Sequence, residues 1–331
     1  MTIASVGSLG TGTRNGAGTS TTITTSAVAE VGNLIVVMVA MDNVQTTDQQ
    51  SNDVTSVTDS VGNTYTKIGE YTNGQGAAAA GATVAAFQSV VTIQLGNGGV
   101  ITVNHSSVND VALRAWEFTL DTDAIGVYGT LQVLANDAAD PGSMTLGSLV
   151  SDEYLFLRLT STEGETTTGY TVTTNYTSID PLASSTAGAA AGNIVLSGEF
   201  RIVTATTSTS DPTFTAEDSA SIMFALREVF SLAIGAGSYS LTGAAVSLLY
   251  GPEIVAGSGS YSLVGADVAL KRGYLLSIES GSYGVTGSEV SLEHGRDLNV
   301  DGGVYSLTGS DVTLTYTPTG GVKAHAWRGR R

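Results

Sequence analysis

The chain has 331 residues, 42% hydrophobic and 13% charged, with 41 glycines, 5 prolines, no cysteine and a formal net charge of −17. That length makes roughly two domains at the usual ~100–200 residues each, and the composition excludes a collagen-like, a disulfide-built or a disordered chain. Cysteine nucleophiles, thiolate zinc sites and iron–sulfur clusters are excluded too, and three histidines far apart in sequence (His105, His294 and His325) argue against a histidine-built metal site.

The first five residues, Met1 to Ser5, lack the basic-then-apolar pattern of a secretory signal. The longest apolar run, Leu34 to Met41, is too short for the ~20 residues of a membrane helix, so no membrane insertion is expected. Runs of Ser, Thr, Gly, Asn and Asp then alternate with short apolar stretches. These predict strands over Thr21–Thr25, Asn33–Met41, Val54–Asp59, Tyr65–Tyr71, Thr83–Leu95, Val100–Asn104, Ala112–Thr119, Tyr154–Thr160, Ile194–Ile202 and Ser221–Val229. Helical periodicity extends nowhere beyond two turns, and the alanine-rich pieces Ala77–Ala80 and Ala187–Ala191 read as loops or small-residue packing. The fold class is all-β, and residues 1–229 read as an antiparallel, jelly-roll-like β-sandwich.

Few residues in this part suggest chemistry. Asp42, Asp48, Asp53 and Asp59, with Asn43 and Asn52 between them, are hard oxygen donors of the kind calcium takes. Their spacing matches no EF-hand loop, and a solvated polar loop accounts for them better; Asp137, Asp140, Asp152 and Glu153 read the same way. His105, Ser106 and Asp110 are the residue types of a hydrolase triad. However, adjacent residues on a strand point to opposite faces, and the Gly-x-Ser-x-Gly elbow is missing. Glu117, Asp121 and Asp123 are carboxylates of the type glycosidases pair, while Trp116, in phase with Ala112 and Phe118, reads as core.

Residues 230–317 hold four 22-residue β repeats. Tyr239, Tyr261, Tyr283 and Tyr305 keep that step, as do Val246, Val268, Val290 and Val312, and Leu248, Leu270, Leu292 and Leu314. Each unit reads G-x-Y-x-(L/V)-x-G-x-x-V-x-L. Tyr239 and Leu241 share one strand face, Val246 and Leu248 share a face on a second strand, and Gly243 is placed for a tight turn between them. A third apolar pair, such as Ile254 with Ala256, ends the unit. The tyrosines, in phase with Leu and Val, read as repeat core rather than as sugar-stacking platforms. An even repeat keeps every copy facing the same way, and 22 residues cannot bury their own apolar face, so neighbours must stack. Two arrangements fit: a β-solenoid of four coils, or a stack of hairpins that closes only as an oligomer.

Residues 1–229 hold 6 basic and 22 acidic side chains, residues 230–317 hold 3 and 8, and residues 318–331 hold 4 and none. The acidic body repels nucleic acid. The basic C-terminal tail, with Lys323, Trp327, Arg328, Arg330 and Arg331, suits anchoring on an acidic surface such as a neighbouring subunit.

Two features resemble proteins of tailed bacteriophages. Val57-Thr58-Asp59-Ser60-Val61-Gly62-Asn63-Thr64-Tyr65-Thr66 is similar to a segment of a β-sandwich module in phage and bacterial surface proteins. The strands of that module fall where Val31–Asn43, Ala112–Phe118 and Ser221–Val229 lie. The Gly-Ser-Tyr-Ser-Leu-Thr-Gly repeat resembles C-terminal arrays of phage structural proteins. The resemblance implies a virion structural protein on the particle exterior, a head decoration, head fibre or tail fibre. Its partners would be other virion proteins and copies of itself, a trimer by family analogy. It implies no catalytic residue, and no cofactor is expected beyond the calcium candidates. A receptor- or glycan-binding adhesin that takes a host surface glycan, and a polysaccharide-depolymerising tailspike, are the alternatives.

Overall fold

The computed structural model describes residues 3–122, 124–185, 193–214 and 216–229 in full, and the backbone of a series of strands between 231 and 316. Every regular element among them is a strand. The chain divides into two units, Met1–Glu228 and Val229–Arg331.

The first unit opens with β1 (Ala4–Thr24), β2 (Leu34–Asp42), β3 (Val54–Asp59), β4 (Thr66–Thr72), β5 (Ala82–Val90) and β6 (Val100–Thr119). They form one antiparallel sheet in the order β1-β6-β2-β5-β4, with β3 paired to the first half of β6. Next come β7 (Ile125–Ala139), β8 (Met144–Leu146), β9 (Asp152–Glu163), β10 (Thr177–Ala183), β11 (Ile194–Ala205), β12 (Ser208–Ser210) and β13 (Glu217–Glu228). These give a second antiparallel sheet, β10-β11-β9-β13-β7, and a small β12-β8 ribbon.

Burial explains which strands the sequence advertises. Even-numbered residues of β2 (Leu34, Val36, Met38, Ala40) join a central cluster with Leu155, Leu157 and Leu159 of β9 and Ile222 and Phe224 of β13, between the two sheets. Odd-numbered residues of β2 (Ile35, Val37, Val39, Met41) join a second cluster with Ile23, Val54, Ile101 and Leu113. The first sheet encloses that cluster by folding over itself where the β1–β6 register shifts, between Asn15 and Ser20. All nine residues of β2 are therefore buried, and a strand covered on both faces reads as an unbroken apolar run. The fold-over brings the halves of β1 into close approach: a Cβ on Gly12 would stand 2.0 Å from the carbonyl oxygen of Thr22. A third cluster, with Tyr154, Phe156, Tyr176 and Met144, covers the outer face of the second sheet.

The predicted sandwich is present, but its strand order departs from a jelly roll. Each sheet is drawn from one contiguous half of the unit, whereas a jelly roll alternates its strands between sheets. Read inward from β1, the first sheet runs β1-β6-β2-β5-β4; read from β7, the second runs β7-β13-β9-β11-β10. Both take the first, last, second, penultimate and middle main strand of their half. The correspondence extends to detail. The second half of β1 pairs with the first half of β6, as β8 pairs with β12. Tyr65-Thr66-Lys67-Ile68 recurs as Tyr176-Thr177-Ser178-Ile179, 111 residues on. Ile68 and Ile179 both pack on the central cluster, and Tyr65 and Tyr176 each on the outer cluster of their own half.

Other boundaries also differ. Val100–Asn104 and Ala112–Thr119 are one strand, because β1 pairs with Val108, Asp110 and Val111 in the polar stretch between them, through two register shifts. β5 stops at Val90, and β13 already begins at Glu217. Ala77–Ala80 is a loop as expected, whereas Ala187–Ala191 lies outside the described residues.

In the second unit, β14 (Ser231–Ile234), β16 (Glu253–Ala256), β18 (Leu275–Ile278) and β21 (Asp297–Val300) pair in parallel as one sheet. The other sheet holds β15 (Gly237–Tyr250), β17 (Gly259–Arg272), β19 (Ser282–Thr286), β20 (Glu289–His294), β22 (Val304–Thr308) and β23 (Asp311–Tyr316). Every pairing keeps the 22-residue step: Tyr239 meets Tyr261, Tyr261 meets Tyr283, and Tyr283 meets Tyr305. The valine and leucine positions align likewise, from Val246 and Leu248 through Val312 and Leu314. The turn expected at Gly243 is replaced by continuous strand, since β15 and β17 run through Gly243 and Gly265, which pair with each other. Pairing between repeats supplies the hydrogen bonds that a hairpin within one repeat would otherwise make. The side chains proposed as repeat core lie outside the described residues, as does the whole 318–331 tail.

Candidate functional site

The four calcium candidates do not meet. Asp42 and Asp53 are 3% and 5% exposed, so they are no part of a solvated loop. Asp42 accepts the Asp110 amide at 3.1 Å, and Asp53 accepts the Gln45 side chain and the Ser106 hydroxyl. Asp48 is exposed and accepts the Gly74 amide at 2.9 Å. Asp59 accepts the amides of Val61, Gly62 and Asn63 on one oxygen, and Asn63 Nδ2 and the Tyr65 hydroxyl on the other. Of the second acidic group, Asp140 accepts the Phe214 amide, Asp152 pairs with Arg227 at 3.0 Å and Glu153 accepts the Ile3 amide. Asp137 accepts Asn73 and Gln75 side chains. No group of three or more His, Asp or Glu among the described residues is arranged to hold a metal ion.

Nor does the triad assemble. His105 is buried, with Nε2 3.0 Å from the Thr21 hydroxyl and Nδ1 2.8 Å from the Ser106 carbonyl oxygen. The Ser106 hydroxyl donates to Asp53 instead, and Asp110 accepts from Asn15 and Ser184. Glu117 is buried beneath the Glu30 amide and Asn33, which donate to it at 3.0 and 2.7 Å. The Asp121 amide bonds Glu228; Asp123 lies outside the described residues. Trp116 packs on Phe200, ring centroids 5.9 Å apart, and its indole N–H donates to Ser5. It is half-buried packing, as its phase predicts. Trp327 lies outside the described residues.

The arrangement that sequence reasoning missed is acidic and spans both sheets. Asp42 continues the even-numbered face of β2, Asp110 that of β6 and Asp218 that of β13, while Glu163 continues the odd-numbered face of β9. Each is in phase with its strand's central-cluster residues. Four carboxylates, two from each sheet, thus line one end of the central core. Asp110 and Asp42 are joined through the Asp110 amide, and Asp218 accepts the Ala138 amide at 2.7 Å. Glu163 is 8% exposed and neither of its oxygens has a hydrogen-bond partner. Burial, then the charges of Asp42, Asp218, Asp110 and Glu217, push its pKa up to about 9. Burial likewise lifts Asp42 to about 6 against the opposing Asp110 amide, with the Asp110 charge adding to the rise. The signal was present in the sequence: an acidic residue at core phase on each strand near the end of its apolar residues, as in the Asp42 that closes Leu34–Asp42.

No protein-family model, no curated protein and no solved structure matches the chain.

Proposed function

We propose that the chain is a structural component on the exterior of a tailed-phage particle, assembled through its β modules. The observation that carries this reading is the register of the second unit, where tyrosine meets tyrosine through four successive repeats. Stacking of that kind builds a scaffold by adding identical units. Of the two arrangements open to the repeats, the coiled stack is favoured by parallel pairing at a constant step in both sheets. The first unit supports the same reading through its use of polar groups. Asp59 and Asn63, the heart of the segment that resembles the phage module, knit a turn to the loop at Thr92 and Ile93. His105, Ser106, Asp110 and Glu117 are each committed to separate structural bonds. Association with further copies, as a trimer or otherwise, proceeds through strands that have one neighbour each among the described residues.

Gold-labelled antibody against the purified chain tests the proposal on intact particles from a lysate in which the protein is made. Labelling of the particle surface is expected, and copies per particle from a stained gel then separate a head protein (hundreds) from a tail part (a handful). Labelling confined to particle-free fractions, or turnover of host polysaccharide by the pure chain, overturns it.

A further inference from the structure

Of the carboxylates at the end of the central core, Asp42, Asp110 and Asp218 each accept a hydrogen bond from a neighbouring strand, whereas Glu163 has no partner at all. An ionised carboxylate with both oxygens out of water and no donor nearby is among the costliest groups a fold can hold. The groups facing Glu163 make this worse: Asp42 on β2, Asp110 on β6, and Glu217 and Asp218 on β13 are all acidic, and no cation is among the charges that act on it. Its own strand ends there, with Glu163 paired to Ile194 of β11. Next to that pair, Ser184 bonds Ile194 and Asp110, which ties the site to the opposite sheet.

Three things relieve such a charge: a bound cation, entry of water as the sheets part, or a proton. The carboxylates do not converge as metal ligands, and both Glu163 oxygens are sealed from solvent. We propose that this rim is a proton-binding lock between the two sheets, in which Glu163 sits as the neutral acid and the joint stays closed at this end only while it keeps that proton. The direction of its titration agrees, as does that of Asp42. Both folded values lie above the unfolded ones. The stabilisation they give is therefore complete below about pH 4 and fades as pH rises, through about 6 for Asp42 and about 9 for Glu163. Loss of the Glu163 proton leaves at least two facing charges in a joint with no counter-ion, and the ends of β2 and β9 must separate to admit water.

Calorimetry of the full chain from about pH 5 to about pH 9 tests this. The melting temperature of the first unit should fall across the range. In Glu163→Gln it should stay nearly level at the upper end and exceed that of the unsubstituted chain there. Asp218→Asn, which removes a facing charge and leaves Glu163 in place, lets Glu163 ionise at lower pH, so the fall should be smaller and level off at lower pH. An infrared carbonyl band of a protonated carboxyl at neutral pH, absent from Glu163→Gln, would identify the proton itself. Parallel pH profiles for the unsubstituted chain and Glu163→Gln, or no such band, overturn the proposal. So does a rise in melting temperature with calcium, reversed by chelator and lost in Glu163→Gln, since a cation would then be the neutralising partner.

Discussion

Replacing Asp59 by alanine removes the acceptor at the centre of the turn from Asp59 to Asn63. One carboxylate oxygen takes the amides of Val61, Gly62 and Asn63 at 3.0, 2.7 and 3.1 Å, and the other takes Asn63 Nδ2 and the Tyr65 hydroxyl at 2.8 and 3.1 Å. Hydrogen bonds to a charged group contribute about 1.5–3 kcal/mol each. They do not sum here, because Gly62 is exposed and its amide regains water. The part-buried amides and the Tyr65 hydroxyl, whose ring packs on the second cluster, keep most of the loss, about 3 kcal/mol. At roughly 2–4 °C per kcal/mol for a domain of this size, calorimetry should show the first unit melting about 6–12 °C lower. Asp59→Asn should cost about half as much, since it keeps one acceptor but sets its amide against Asn63 Nδ2. The pH dependence provides a second readout. Burial pushes the Asp59 pKa up, but the hydrogen bonds from the Asn63 side chain and the three amides outweigh it, and the folded value lies below the ordinary one. Its stabilisation is thus present above about pH 4 and lost as pH falls through the folded value; in the alanine variant that part of the acid-side slope should vanish. A drop under about 2 °C, with the slope unchanged, would refute the reasoning.

Leu263→Pro should unravel the array by about 3 kcal/mol or more, because β17 pairs with β15 on one side and with β19 and β20 on the other. Of the neighbouring positions Val312 and Thr313, one should tolerate proline, since β23 pairs only with β20 among the described residues and alternate N–H groups point away from that partner; limited proteolysis reads both. Arg158→Met should lower the unfolding free energy by about 3 kcal/mol, read as a lower urea midpoint at constant slope. That fully buried guanidinium donates to the carbonyls of Gly142, Pro141 and Ser210 and to the Ser221 hydroxyl. Burial holds the His105 pKa below its ordinary value, with the Ser106 carbonyl opposing and the Arg14 charge assisting. Its contribution is therefore complete above about pH 6.5 and is lost as pH falls through the folded value. An imidazole resonance that titrates at or above about pH 6.5 would contradict this.

Much of the fold could be read from residue pattern because burial writes it there. β3 falls at Val54–Asp59 as expected, and β2 and β9 stand out as apolar runs because both of their faces are covered. β7 and β10 escaped notice for the opposite reason. They are the edge strands of the second sheet, partly exposed along their length, and β10 contains Pro181, which an edge tolerates and a central strand does not. The polar stretch from His105 to Asp110 falls between two predicted strands, yet its side chains reach Thr21 and Asn15 on the adjoining strand. The repeat step is plain in the sequence, whereas the partner of each strand is not. Gly243 suits a turn as well as a close parallel neighbour, and only the pairing decides. The acidic rim was hidden because its members are far apart in sequence and become neighbours only when one sheet faces the other.

The matching strand orders of the two halves bear on how the first unit can be taken apart. Each half has an outer apolar cluster of its own and lends one sheet to the inner one, so the link from Thr119 to Ile125 does the work of a dimer contact made intramolecular. Cut there and co-expressed, the two pieces should find each other again as a split protein. Either piece made without the other would carry a bare greasy face and would recruit a second copy of itself to cover it.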